Sequence, residues 1–126
     1  TGDVQISMSQ KLKLDGTLIV TTPQLLSLKD VIRGINMFIK VGVPILGVVE
    51  NMSFLEENNQ KKFIFGESKT KSILLKENIN LIEELPFNLN IPKSCDEGKP
   101  YCFDYKDDYS KQFENIVGAI TNKFKN

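Results

Sequence analysis

VPILGVVENMSF, residues 43–54, is an apolar run that ends abruptly in polar side chains. Its apolar residues follow one another without alternation, which is the pattern of a β-strand covered on both faces. Glu50, Asn51 and Ser53 stand where the run stops. Because ligands of parallel α/β sheets bind beyond the carboxyl ends of the strands, this stretch predicts a strand that carries polar groups into a site.

The segment before this strand completes a βαβ unit. GTLIVTTP, residues 16–23, packs Leu18, Ile19 and Val20 without alternation and predicts another strand covered on both faces. A helix is expected over about residues 24–40. Its apolar residues recur at three- and four-residue spacing along one face and are Leu25, Leu28, Ile32, Ile35 and Ile39. Strand, helix and strand in this order imply parallel strands joined by a right-handed crossover.

The remainder of the chain continues the alternation of helices and strands. The polar stretch at 55–62 predicts an exposed loop, and a helix is expected around residues 67–77. A third strand lies within NLIEELPF and ends at Pro86, and residues 88–106 form an irregular connection. The last helix covers about residues 107–124, and its shared apolar face consists of Tyr109, Phe113, Ile116, Val117, Ile120 and Phe124.

Near the start, Asp3 is placed to cap a short helix over residues 4–12, because its carboxylate can accept from the free backbone N–H groups of the first turn. Together these elements predict an α/β fold, a three-layer parallel sheet with flanking helices. The chain has 126 residues, of which 40% are hydrophobic and 25% charged. This composition is typical of one globular domain spanning residues 1–126.

The charge balance favours no polyanionic partner. Sixteen basic and sixteen acidic residues cancel, so neither nucleic acid nor an anionic membrane is an expected partner. No apolar run approaches the roughly 20 residues that span a bilayer, and the first residues lack the basic and apolar blocks of a signal peptide. A cytoplasmic or organelle-matrix location is therefore expected.

Cysteine and histidine usage restricts the possible chemistry. Cys95 and Cys102 are the two cysteines, and their spacing matches no tight metal or redox motif. We expect unreactive free thiols, with a disulfide or a shared metal site as alternatives. Because the sequence contains no histidine, imidazole catalysis and imidazole metal ligation are excluded.

Three short polar signals follow the three predicted strands: TTPQ at 21–24, ENMS at 50–53 and LPFN at 85–88. They are expected to lie close together at the carboxyl edge of the sheet. Asn51 offers an acceptor and a donor, the pair needed to recognise an adenine edge or another amide-like ligand. The alternative that Asn51 and Ser53 only cap a turn stays open at this point.

Six blocks of the sequence, in order, resemble the carboxyl-terminal half of the Mrp/ApbC family. These proteins are iron–sulfur cluster carrier ATPases within the MinD-like branch of P-loop NTPases. The blocks are TGDVQ at 1–5, TTPQ at 21–24, GINMF at 34–38, VPILGVVENMSF at 43–54, IFG at 64–66 and DEGKP at 96–100. The resemblance implies that the chain is the carboxyl-terminal half of a larger nucleotide-binding domain with the P-loop NTPase (MinD-like) fold.

The resemblance also implies ligands and partners. Family members hold ATP with magnesium in a deviant Walker loop, dimerise with nucleotide near the interface, and carry a labile [4Fe–4S] cluster to apo iron–sulfur proteins. Thr1, Gly2 and Asp3 match the end of the second switch segment, Asn51 matches the position that recognises adenine, and Pro86 begins the loop over the base. The resemblance assigns no catalytic residue within this chain.

The chain departs from the family pattern in three places. It contains no G-x-x-x-x-G-K-[ST] loop, so most contacts to ATP and magnesium, and any hydrolysis, are expected to depend on residues upstream of Thr1. The C-x-x-C that many family members carry is absent from the interval 54–63, which places cluster binding in doubt. Asn88 replaces a common acidic residue after the turn at Pro86.

Two other functions are compatible with these departures. A MinD- or ParA-like positioning protein would use nucleotide-dependent dimerisation and would need no cluster cysteines. A non-enzymatic remnant would keep the fold and only bind a partner, because half a nucleotide site has no loop to hold phosphates.

Overall fold

The computed structural model describes residues 2–125 and contains a central parallel sheet with helices on both faces. The elements in chain order are α1 (Gly2–Lys11), β1 (Thr17–Thr21), α2 (Leu25–Lys40), β2 (Ile45–Glu50), β3 (Leu55–Glu57), β4 (Gln60–Lys62), α3 (Thr70–Lys76), β5 (Leu81–Glu84), α4 (Asn90–Asp96), α5 (Tyr101–Asp104) and α6 (Asp108–Lys123). The strand order of the main sheet is β1-β2-β5. Both strand pairs are parallel, which confirms the predicted βαβ unit and α/β class.

The core lies on both faces of β2, because successive strand residues point to opposite sides. Val48 is fully buried in a cluster with Val31, Ile35 and Leu74, from α2 and α3. Val49 is buried on the opposite face in a cluster with Leu85 and with Ile116 of α6. These two clusters form the predicted three layers, with α2 and α3 on one side of the sheet and α6 on the other.

A β-bulge interrupts the apolar run of β2. Thr17 pairs with Ile45 and Leu18 pairs with Gly47, so Leu46 has no partner opposite it. Gly47 has φ 152°, and a Cβ atom at this position would lie 2.5 Å from Cδ1 of Ile82. Glycine is favoured here because its φ is one that residues with a side chain rarely adopt and because a Cβ atom would clash with the Ile82 side chain of β5.

The prediction that β1 is covered on both faces is wrong for its second half. Val20 is 60% exposed, although Leu18 on the same face packs into the cluster around Val49 and Ile116. Among residues 2–125, β1 pairs only with β2 and is an edge strand. The single helix α6 contacts β5 on that face of the sheet and leaves Val20 uncovered.

The apolar stripes of the two long helices are shorter than their sequence patterns predict. Leu25 and Ile39, at the two ends of α2, are exposed, and Val31 is buried in their place. Ile116 of α6 is buried, whereas Phe124, just after the helix, is exposed. Val117 is also exposed, because it lies mid-helix about 100° around the axis from Ile116 and outside the face that packs on the sheet. A 16-residue helix is longer than the strands beneath it, so its ends extend past the sheet. No helix in the described range combines the length and the hydropathy needed to cross a membrane.

Three connecting segments differ from the predictions. Residues 55–62 form an antiparallel hairpin, β3–β4, and not an irregular loop. Asn58 and Asn59 both have positive φ at its tip, the conformation that a two-residue type I′ turn requires. The connection at 88–106 contains the short helices α4 and α5. Helix α1 begins at Gly2, so Asp3 lies within its first turn and is not its cap.

A capping box starts α6. The Asp107 carboxylate accepts from the backbone N–H of Ser110, and the Ser110 hydroxyl accepts from the backbone N–H of Asp107. The buried Tyr101 also donates its hydroxyl to Asp107, at 2.5 Å. The Tyr101 hydroxyl and the Ser110 N–H both stabilise the ionised carboxylate, so the pKa of Asp107 is lowered from its ordinary value of 3.8.

We expect Asp107→Ala to lower the free energy of unfolding at neutral pH by about 1 kcal/mol, the usual loss when a helix cap is removed. Because the folded-state pKa of Asp107 is depressed, this stabilisation is present above the unfolded pKa and disappears as pH falls through the folded one. Urea unfolding measures the free energy of unfolding of the wild type and of the variant at several pH values. The difference between the two proteins should become smaller as the pH is lowered from 7 to 2. Asp108→Ala, which keeps the cap, is the control, and a pH-independent difference would contradict the prediction.

Candidate functional site

The carboxyl ends of the three strands meet, as the sequence predicts. The Asn51 N–H donates to the carbonyl oxygen of Thr21 at 2.7 Å, and the Leu85 N–H donates to the carbonyl oxygen of Glu50 at 2.7 Å. The Ser53 N–H then donates to the carbonyl oxygen of Leu85 at 2.9 Å. Residues 50–53 are therefore tied by their backbone to β1 on one side and to the end of β5 on the other.

Asn51 and Met52 form the tip of a tight turn after β2. Met52 has φ 56°, in the left-handed region that a non-glycine residue seldom adopts. The Asn51 side-chain oxygen accepts from the Met52 N–H at 2.9 Å, which supports this turn as the capping alternative expects. Its amide nitrogen makes no hydrogen bond to any other residue within 2–125. Asn51 thus caps the turn and still has a donor for a ligand.

A cavity of about 580 Å³ lies along β1 and reaches Asn51. Its polar lining consists of Gln5, Thr17, Thr21, Thr22, Ser27, Asp30 and Asn51. The Thr22 and Ser27 hydroxyl oxygens are 2.9 Å apart, which links the end of β1 to the first turn of α2. The volume lies in the range of small-molecule sites, and the hydroxyl and amide groups suit a polar ligand.

Gln5 connects α1 to this cavity. It lines the same wall, and its side-chain oxygen is buried without a hydrogen-bond donor among the described residues. A buried acceptor without a donor is unfavourable by roughly 1–3 kcal/mol. On the α1 side of the cavity, the Gln5 side-chain oxygen is therefore available to accept a hydrogen bond.

The other residues predicted to bind the cofactor lie elsewhere or outside the description. Pro86 does not line the cavity and follows β5, on the opposite side of β2. Asp3 is exposed on α1 and lines a separate depression of about 470 Å³ with Val4 and Met8. Thr1 lies outside the described residues, and Gly2 begins α1. Of the predicted set, Asn51 is the residue that the fold brings to the cavity, while roles for the others stay predictions.

Sequence reasoning missed the environment of Glu50. This side chain is completely buried, and its two carboxylate oxygens accept from the Ser53 hydroxyl at 2.8 Å and from the Ser68 hydroxyl at 2.5 Å. Ser68 in turn accepts from the backbone N–H of Thr70. An acidic residue that ends a buried strand, with a serine three positions later, is a sequence signal for the first contact. The contact with Ser68, 18 residues away, depends on the tertiary fold.

The two cysteines belong to no metal-binding group of side chains among the described residues. Cys95 is exposed on α4 and Cys102 is half-buried on α5, and both are free thiols, as predicted. Within residues 2–125 no group of three or more acidic, cysteine or histidine side chains could hold a metal ion. The hairpin β3–β4, which occupies the interval of the family's C-x-x-C, contains no cysteine.

The sequence matches a known protein family over nearly its whole length. The family model described as "ParA: NUBPL iron-transfer P-loop NTPase" matches residues 1–121. Among solved structures, the fold is similar to the nucleotide-binding protein in complex with ADP from Archaeoglobus fulgidus, with a TM-score of 0.71 and 32% identity. That similarity covers 85% of this chain and 44% of the other.

Curated proteins show the same similarity in sequence. The chain is 50% identical over 102 residues to the "Iron-sulfur protein required for NADH dehydrogenase, mitochondrial" of Arabidopsis thaliana, covering 79% of the chain and 33% of the relative. It is 42% identical over 128 residues to the "Iron-sulfur cluster transfer protein NUBPL" of Dictyostelium discoideum, covering 99% of the chain and 40% of the relative. It is 33% identical over 124 residues to the "Iron-sulfur cluster carrier protein" of Aquifex aeolicus, covering 96% and 34%. The chain therefore spans between a third and two fifths of these relatives.

Proposed function

Because the chain belongs to the ParA family of NUBPL-type iron-transfer P-loop NTPases, we propose that the complete protein binds ATP with magnesium and carries iron–sulfur clusters to apo iron–sulfur proteins. The main support for nucleotide binding is the position of the Asn51 amide. It lies at the carboxyl edge of a parallel sheet, beside a cavity of ligand size. Hydrolysis of ATP belongs to the complete protein in this proposal. A homodimer in the cytoplasm or an organelle matrix is part of the same proposal.

Residues 1–126 are, in this proposal, the carboxyl-terminal half of a larger nucleotide-binding domain. The supporting observations are the partial coverage of the relatives and the outer edge of β1, which has no strand partner among residues 2–125. An unpaired edge exposes backbone N–H and C=O groups that another strand can satisfy. A strand paired there would also lie next to the exposed Val20 and the cavity.

The intact mass of the protein from its natural source tests this arrangement. We expect a mass well above 14.3 kDa and peptides upstream of Thr1 that contain a Gly-rich lysine loop, because backbone N–H groups of such a loop hold phosphates. A natural product of 14.3 kDa would contradict the ATPase proposal and favour a protein that only binds a partner.

Asn51 is proposed to recognise the adenine edge. Its amide nitrogen is available as a donor, and its oxygen has a second lone pair beyond the one used by Met52. Thr1, Gly2 and Asp3 are proposed to contact the magnesium and phosphate part of the nucleotide, and Pro86 to begin a loop over the base. These assignments come from the resemblance of the sequence blocks to the family, and for Asn51 its place beside the cavity is a second, geometric argument.

In the complete protein, Asn51→Ala should weaken ATP binding by roughly 1–3 kcal/mol, because a hydrogen-bonded contact to the base is lost. Asn51→Asp is the matched variant, because aspartate still caps the turn at Met52 but has no amide donor. Isothermal titration with ATP should show weakened binding for both variants. Full affinity in Asn51→Asp would mean that Asn51 serves only the turn, and Asn122→Ala, on the exposed surface of α6, is the control.

The iron–sulfur cluster is cargo in this proposal, and the described residues do not form a site for it. Cys95 and Cys102 lie on different helices, and a [4Fe–4S] cluster usually needs four thiolates. This observation favours a second candidate, a nucleotide-dependent positioning protein that carries no cluster. Both candidates require ATP, so the cluster itself separates them.

Anaerobic reconstitution of the complete protein with iron and sulfide is the separating experiment. The carrier proposal predicts a brown chromophore that moves to an apo iron–sulfur protein, followed by absorbance near the visible charge-transfer bands of such clusters. A Cys95→Ser/Cys102→Ser double variant shows whether these thiols are ligands. A colourless protein that still binds ATP would contradict the carrier proposal and support the positioning protein.

A further inference from the structure

Glu50 is a fully buried acidic residue in an unusual setting. No ion pair within residues 2–125 includes it, so its carboxyl group depends on hydroxyl donors. Ser53 donates to one oxygen and Ser68 to the other. Burial of an acidic group is unfavourable unless its oxygens are hydrogen-bonded, so these two contacts are required wherever Glu50 is kept.

The two hydroxyl contacts join segments that are far apart in sequence. Ser53 belongs to the turn after β2, three residues from Glu50, whereas Ser68 precedes α3. Ser68 is itself held by the fully buried Thr70, whose N–H donates to the Ser68 hydroxyl oxygen and whose own hydroxyl lies 2.9 Å from it. The first turn of α3 is therefore tied through Glu50 to the turn that contains Asn51.

Asn51 lies between the anchored residues of this turn. Glu50 on one side is fixed by its carboxyl group, and Ser53 on the other is fixed by its hydroxyl, which contacts both the carboxyl group and the carbonyl oxygen of Glu50. Met52 retains a left-handed conformation that is unfavourable by about 1 kcal/mol or more for a residue with a side chain. Such a conformation persists where surrounding contacts determine it. Here the contacts of Glu50 with Ser53 act together with the Asn51 side-chain cap and the backbone hydrogen bonds to Thr21 and Leu85.

We propose that Glu50 is a positioning residue for base recognition, which holds the Asn51 amide in place through Ser53 and Ser68. This inference rests on the proposed function, in which Asn51 binds the adenine edge. Glu50 does not line the cavity, so it acts on the ligand only through the turn. A pre-positioned amide discriminates between bases better than a mobile one, because a mobile amide can rotate to match a base with a different pattern of donors and acceptors.

The test compares the binding of ATP and ITP to the complete protein. In ITP a carbonyl oxygen replaces the 6-amino group of the base. The measured quantity is the ratio of the ITP and ATP dissociation constants. Glu50→Gln and Ser68→Ala each disturb the contact between Glu50 and Ser68 while creating little or no cavity. Ser72→Ala is the matched control, because the Ser72 hydroxyl donates to the Lys69 carbonyl oxygen in the same region and does not contact Glu50.

We expect Glu50→Gln and Ser68→Ala to lower the ITP/ATP ratio by about five-fold, the effect of one weakened hydrogen bond, and Ser72→Ala to leave it unchanged. A variant that only loses stability has fewer folded molecules for both nucleotides, so its ratio stays at the wild-type value. Circular dichroism confirms folding, and the two independent variants keep the test valid if one does not fold.

Two results would overturn the inference in different ways. If Asn51→Asp lowers the ratio but Glu50→Gln and Ser68→Ala do not, Glu50 has no positioning role and the proposed contact of Asn51 with adenine stands. If Asn51→Asp leaves the ratio unchanged, the contact with adenine itself is wrong, and the role of Glu50 fails with it.

Discussion

Burial of β2 on both faces is the constraint on which the rest of this structure depends. Val48 and Val49 are adjacent in the chain and belong to different hydrophobic clusters, so one short strand connects the α2–α3 layer with the α6 layer. Parallel pairing with β1 and β5 satisfies the backbone of β2 along its length. The glycine at 47 leaves room for the Ile82 side chain of β5 where a Cβ atom would clash.

The same burial explains the chemistry at the end of the strand. β2 ends beside the ends of its two neighbouring strands. The polar residues that follow it, Asn51 and Ser53, are therefore held by backbone hydrogen bonds to Thr21 and Leu85. Glu50 is still within the buried part, and its carboxyl group is retained because Ser53 and Ser68 donate to it. Asn51, one residue further on, reaches the cavity with its amide nitrogen available.

Asn51, the residue proposed to contact the nucleotide, lines a cavity, whereas the proposed cluster has no corresponding group of ligands among the described residues. Two of the relatives are named as iron–sulfur cluster transfer or carrier proteins, yet the described part of this chain contains no group of acidic, cysteine or histidine side chains that could hold a metal ion. The hairpin β3–β4 has a two-residue turn at Asn58 and Asn59 in the interval where the family resemblance leads us to expect a C-x-x-C. The described residues therefore offer geometric support for the proposed nucleotide contact at Asn51 and none for a cluster site.

The sequence by itself determined the parallel α/β class, the three strands and the position of Asn51, because apolar runs and helical periodicity are local patterns that reflect burial. It did not determine the exposure of Val20, Leu25 and Ile39, because exposure depends on which neighbouring elements cover a face. The hairpin was missed although paired asparagines suit a type I′ turn, since a polar stretch has no apolar pattern. Only the tertiary structure decided the contact between Glu50 and Ser68, because residues separated by 18 positions meet only when α3 packs against the sheet.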